Sequence, residues 1–209
     1  MCNTYYKSLS LPQWPLRDDI KLSDIKITEG YVILNPHESL SQETIELFSS
    51  VGLRPKMLVL FGRNDTNSAP ATRMIHSDVY MTESGSWERL VGGVNWELSK
   101  TTNTMYWYDM GTTEECWPCE PLKANSKFKL LNGIHYGKRL NMGIPADTPI
   151  VSQVTIDGPT LVRTDKPHAT LYHSTEDSPR IAASVRFFED DYCGSWEQLV
   201  NMITPLCVK

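Results

Sequence analysis

The sequence predicts a mainly β chain, a jelly-roll or related double-sheet barrel with a few flanking helices. Two observations predict it. Short β-branched and aromatic runs recur along the chain, each closed by a turn rich in Gly, Pro, Asn or Asp. The gaps between them lack the helical periods that a doubly wound α/β fold would need. At 209 residues, one domain is the default, since an all-β core can run to about 200–250 residues before splitting. The core is placed at about 57–188, preceded by a lead-in and helix over 1–56 and followed by a C-terminal helix and tail over 189–209.

Taken in order, residues 1–30 carry Pro12, Pro15 and scattered charges and read as an irregular lead-in lying across the domain. Tyr31-Val32-Ile33-Leu34 is a strand ended by Asn35-Pro36. The run from Ser39 to Phe48 predicts a helix, with Ser39 as its cap, Gln42 three positions on, and Gly52 as the C-terminal stop. Strand character begins at Met57-Leu58-Val59-Leu60-Phe61 and returns at 72–80, at Trp87 to Leu98 around Gly92-Gly93, and at Met105-Tyr106-Trp107-Tyr108. The segment 111–147 has no clear period and includes a basic stretch from Lys123 to Arg139. Strands resume at 150–156, 160–163, 168–172 and 181–188, and Ser195 to Ile203 reads as a short amphipathic helix.

Composition excludes several function classes. A formal charge of −5 gives no basic footprint, so nucleic acid is not an expected partner. No window approaches the roughly 18 apolar residues of a membrane span, and Met1 to Lys7 lacks a charged region followed by an apolar one, so a cytoplasmic protein is expected. Five cysteines, odd in number and unevenly spread, are expected as reduced thiols. Cys116-Trp117-Pro118-Cys119 has redox-motif spacing, but the Pro121 that follows denies it the helix that lowers a thiol pKa, and a zinc site would need a second ligand pair.

The chemistry concentrates on three blocks. In a strand, His76 and Asp78 point to one face while Ile75, Ser77 and Val79 point to the other. His168, in Lys166-Pro167-His168-Ala169, offers a third ligand, with His173 as a rival five positions on. Two histidines and one carboxylate can occupy one face of an octahedral metal and leave the opposite face open. On the last strand Arg180, Ala182, Ser184 and Arg186 share a face, which places two guanidinium groups and a hydroxyl together.

These blocks, Ile75-His76-Ser77-Asp78, Lys166-Pro167-His168-Ala169 and Pro179 to Phe187, resemble those of the non-haem iron(II), 2-oxoglutarate-dependent oxygenases. The resemblance spans about residues 57–188 in order and spacing and implies a double-stranded β-helix, the jelly-roll or cupin-like barrel. It implies His76, Asp78 and His168 as iron(II) ligands and Arg180 as the clamp for the distal carboxylate of 2-oxoglutarate, because a guanidinium fork matches a carboxylate. Many members carry a serine two positions after that arginine. Here Ala182 stands there, which leaves Ser184 as the nearest hydroxyl and Arg186 as a rival clamp. Asn95 and Tyr106 are further candidates for the co-substrate pocket, with Tyr108 beside them, and Arg163 for the mouth. The implied reaction consumes O2 and 2-oxoglutarate, releases succinate and carbon dioxide, and hydroxylates a small molecule or protein side chain. The loops 62–70, 81–90 and 111–147 are expected to frame the entrance.

Overall fold

The computed structural model describes residues 5–25, 30–63, 75–81, 84–99, 103–109, 135–140, 147–172, 180–188 and 194–208. Cys116, Cys119, His173 and most of the loops 62–70 and 111–147 lie outside the described residues. Twelve strands are described: β1 Tyr6–Ser8, β2 Tyr31–Leu34, β3 Met57–Arg63, β4 His76–Met81, β5 Trp87–Arg89, β6 Gly92–Glu97, β7 Asn103–Tyr108, β8 His135–Leu140, β9 Ile150–Thr155, β10 Thr160–Arg163, β11 His168–Tyr172 and β12 Arg180–Arg186. They form a β-sandwich of two antiparallel sheets. The first has the order β1-β10-β6-β12-β3-β2, and the second β5-β4-β11-β7-β9 with β8 on the free side of β4. Among the described residues no helix is long and apolar enough to cross a membrane.

Two strands depart from the sequence expectation. The lead-in supplies β1, which pairs with β10 in the register Tyr6 to Val162. The aperiodic segment supplies β8, which pairs along the whole of β4, Ser77 opposite Arg139 and Val79 opposite Gly137. Pairing with a neighbour, rather than an internal period, makes these residues strands.

The helices also shift. Ser39 ends a first short helix, α1 Pro36–Ser39, capped by the Asn35 side chain; the longer α2, Gln42–Ser50, is capped by Ser41, whose hydroxyl accepts from the Thr44 amide. The predicted cap is therefore two residues early, because Pro36 begins a helix of its own at a position where its missing N–H costs nothing. Gly52, at φ 79°, closes α2 as expected: its amide donates to Ser49 and that of Leu53 to Phe48. At the C-terminus α3, Trp196–Ile203, is capped by Ser195 and buries Trp196, Leu199 and Ile203 along one face.

Strand alternation divides the core. One set of first-sheet side chains, including Leu58, Leu60, Val94, Trp96, Leu161, Ala183, Val185 and Phe187, packs outward against Phe48 of α2 and Trp196, Leu199 and Ile203 of α3. The alternate set faces the second sheet. There Met57, Val59, Tyr80, Leu90 and Phe188 make one apolar cluster and Met105, Trp107, Ile156 and Val162 another, with Trp107 of the latter stacked on Tyr6 and tilted against Tyr5 of the lead-in. The interior between these two clusters is polar.

Candidate metal centre

The seam starts at His76 and Asp78 on β4. Their partner strand β11 brings His168 directly opposite His76, so the three side chains share the inward face of the second sheet. One ligand atom from each lies within 4.8 Å of the others, a spacing that could hold a metal ion. All three residues are buried. The two imidazole rings are 4.3 Å apart, centroid to centroid, and His76 Nε2 stands 3.7 Å from Asp78 Oδ1.

Hydrogen bonds among β4, β7, β10 and the connections at 90–91 and 164–167 fix this corner. The Asp78 amide donates to the Thr164 carbonyl, and the Asp78 carbonyl accepts from Leu90. Thr164 reaches the Leu90 carbonyl through its hydroxyl and Val91 through its amide. Trp107 Nε1 donates to the Arg163 carbonyl, and the Tyr108 amide to Pro167. His168 itself is oriented by Nδ1, 2.8 Å from the Lys166 carbonyl. A carbonyl oxygen only accepts, so Nδ1 carries the proton and Nε2 presents its lone pair, the tautomer that a metal ligand needs.

The carboxylate of Asp78 is divided between two tasks. Arg186 Nη2 donates to Oδ2 at 2.8 Å, with the two side chains 3% and 1% exposed. Oδ1 remains on the histidine side. Arg186 crosses from the first sheet over Gly93, its register partner on β6, where a Cβ would come within 2.2 Å of Nη1. Glycine at 93 is thus what lets the guanidinium lie flat beneath Asp78.

Along β12 the other inward residues carry the seam onward. Ser184 donates to Asn95 Oδ1 across β6, so these two co-substrate candidates satisfy one another. At the far end Arg180 Nε donates to Glu97 Oε2 at 3.1 Å, and both side chains are nearly buried. The six steps from Arg186 to Arg180 span about 20 Å of strand.

Tyr106 is not brought to this seam. Met105 and Trp107 take the inward positions of β7, and Tyr106 lies on the opposite face with Thr104 and Tyr108, opposite Ala169 and Gln153. Burial, together with the neighbouring Tyr106, pushes the Tyr108 phenol above its ordinary range. The expectation that Tyr106 belongs to a co-substrate pocket beside the metal group is therefore corrected, and Tyr106→Phe should change metal affinity by no more than about twofold in a binding titration. Arg163 also faces away, onto the helix side. It donates to Asp165 at 2.8 Å and lies over the Trp196 ring; burial lowers its pKa, but Asp165, Glu197 and Tyr5 together outweigh this and the net shift is upward.

Sequence reasoning missed Glu97, although its signal was present: it follows Asn95 by two and so shares the inward face of β6. A scan of the chain against protein-family models finds no match, and a search among curated proteins finds none either.

Proposed function

We propose that the protein is an iron(II)- and 2-oxoglutarate-dependent oxygenase that hydroxylates a small molecule or a protein side chain. The observation that carries this reading is the buried His76, Asp78 and His168 group facing a strand with an arginine at each end. The donor set fits the metal: two imidazoles, that of His168 oriented through Nδ1 by the Lys166 carbonyl, and a carboxylate whose Oδ2 is held by Arg186. Bound there, iron(II) would supply activation of O2 coupled to decarboxylation of the 2-oxo acid.

Charge supports a dianionic co-substrate. Among the described residues the seam balances Arg180 and Arg186 against Glu97 and Asp78. A divalent cation adds two positive charges in a low-dielectric interior, and a dicarboxylate restores neutrality. The arginines are poor candidates for stability alone, since well-packed apolar replacement of a buried ion pair is often neutral or stabilising.

The strand order supports the double-stranded β-helix as the finer description. With the edge strands β1, β2, β5 and β8 set aside, four strands remain in each sheet, in the orders β10-β6-β12-β3 and β4-β11-β7-β9. Chain order then moves between the sheets at nearly every step, as in a jelly-roll.

Iron(II) and 2-oxoglutarate added without oxygen should give a weak visible charge-transfer band, and admission of air should yield succinate. Absence of both overturns the reading. The Arg180 to Glu97 pair favours a second one, a cupin-like metal protein that does not use 2-oxoglutarate, because Arg180 already holds a carboxylate. Under that reading Arg180→Ala leaves activity intact; under the first it abolishes co-substrate affinity.

A further inference from the structure

We infer that Glu97 is a resident surrogate for the distal carboxylate of the co-substrate: it holds Arg180, and its charge sets how strongly a dicarboxylate is preferred over a monocarboxylate. This rests on the reading above, in which Arg180 takes that distal group. Glu97 and Arg180 meet on the inward face, with Glu97 directly opposite Ala182 in register and Arg180 the next inward residue on β12. The contact is built by the backbone around it. Leu98 and Ser99 both donate their amides to the Ile181 carbonyl, and the Ile181 amide donates back to the Ser99 hydroxyl. That hydroxyl in turn donates to Glu97 Oε1, so each carboxylate oxygen accepts from a donor.

A ligand carboxylate approaching Arg180 meets a cation whose charge is already matched, together with an anion at hydrogen-bond distance. In the interior, where like charges interact strongly, both carboxylates cannot share one guanidinium without loss. Glu97 must yield its place or weaken the arrival. Glutamine at 97 keeps an oxygen for the Arg180 Nε–H and removes the charge, which separates the electrostatic role from simple positioning.

The test uses the full chain loaded with manganese(II) and titrated calorimetrically with 2-oxoglutarate and with 2-oxobutyrate, which lacks the distal carboxylate. Glu97→Gln should tighten 2-oxoglutarate about tenfold or more and leave 2-oxobutyrate within about twofold. If wild type binds 2-oxoglutarate and the substitution moves both acids equally or neither, the inference is overturned and the proposed function stands. If wild type binds neither acid, the proposed function fails and takes this inference with it. Glu97→Met serves where the glutamine variant does not fold, with the same selectivity expected, since the ratio of two affinities is insensitive to a loss of folded protein.

Discussion

Asp78→Ala should abolish metal binding, weakening it by more than the roughly ten- to hundredfold expected for loss of a supporting partner alone, and should destabilise the metal-free protein by about 3–5 kcal/mol. The two effects have separate causes. The first removes the carboxylate from a group whose other members, His76 and His168, present only nitrogen. The second strands Arg186, whose guanidinium is 3% exposed and donates to Asp78 from the opposite sheet. Breaking one side of such a pair leaves an uncompensated buried charge, whereas removing both sides does not. Asp78→Ala combined with Arg186→Met should therefore recover most of the lost stability and none of the metal affinity. Calorimetric metal titration and urea denaturation of the single and double variants check this. Equal stability of wild type and Asp78→Ala would refute the pair as an energetic unit, and retained metal affinity would place the metal elsewhere.

The interior follows a division of labour that explains why a polar seam survives folding. Its flanks are apolar, with Met57, Val59, Tyr80, Leu90 and Phe188 on one side and Met105, Trp107, Ile156 and Val162 on the other. The larger cluster lies outside, between the first sheet and the helices, where Phe48 packs edge-on against Trp96 and Phe187. Helix packing on that outer face contributes apolar burial that the sandwich interior forgoes along β12.

Much of this was legible in the sequence because alternation carries information wherever one parity is polar. In His76-Ser77-Asp78 and in Arg180 to Arg186, the spacing by two placed the chemistry on one face, and the register confirms those faces. Alternation fails where both parities look alike. Met105-Tyr106-Trp107-Tyr108 is apolar or aromatic throughout, so the sequence gives Tyr106 no face, and packing of Trp107 against Tyr5 and Tyr6 decides it. It fails also in β8, where His135 to Leu140 has no period and takes its form from β4. The pairings of Arg186 with Asp78 and of Arg180 with Glu97 join residues far apart in the chain, and only the closing of the two sheets creates them.

Gly93→Ala should then be as damaging as a loss of charge, although it adds a single methyl group. The new Cβ would lie 2.2 Å from Arg186 Nη1, 2.8 Å from Arg186 Cδ and 2.7 Å from the Val185 carbonyl oxygen. That carbonyl belongs to β12, hydrogen-bonded between β3 and β6, and cannot retreat alone, so the arginine must move off Asp78. Overpacking costs about 1–3 kcal/mol, and a displaced guanidinium adds part of the roughly 3–5 kcal/mol of a broken buried pair. A loss of about 3 kcal/mol or more is expected in urea denaturation, with metal affinity falling in parallel because Asp78 loses its orienting donor. Gly158→Ala is the control: the nearest neighbour of its Cβ would be the Gln13 side chain, at 3.1 Å, which can turn away. If the damage runs through Arg186, then Gly93→Ala and Arg186→Met must be less than additive in combination, since truncating the arginine removes the guanidinium part of the clash and leaves only the strand contacts. Full additivity would mean that Gly93 matters to the strand alone and not to the seam.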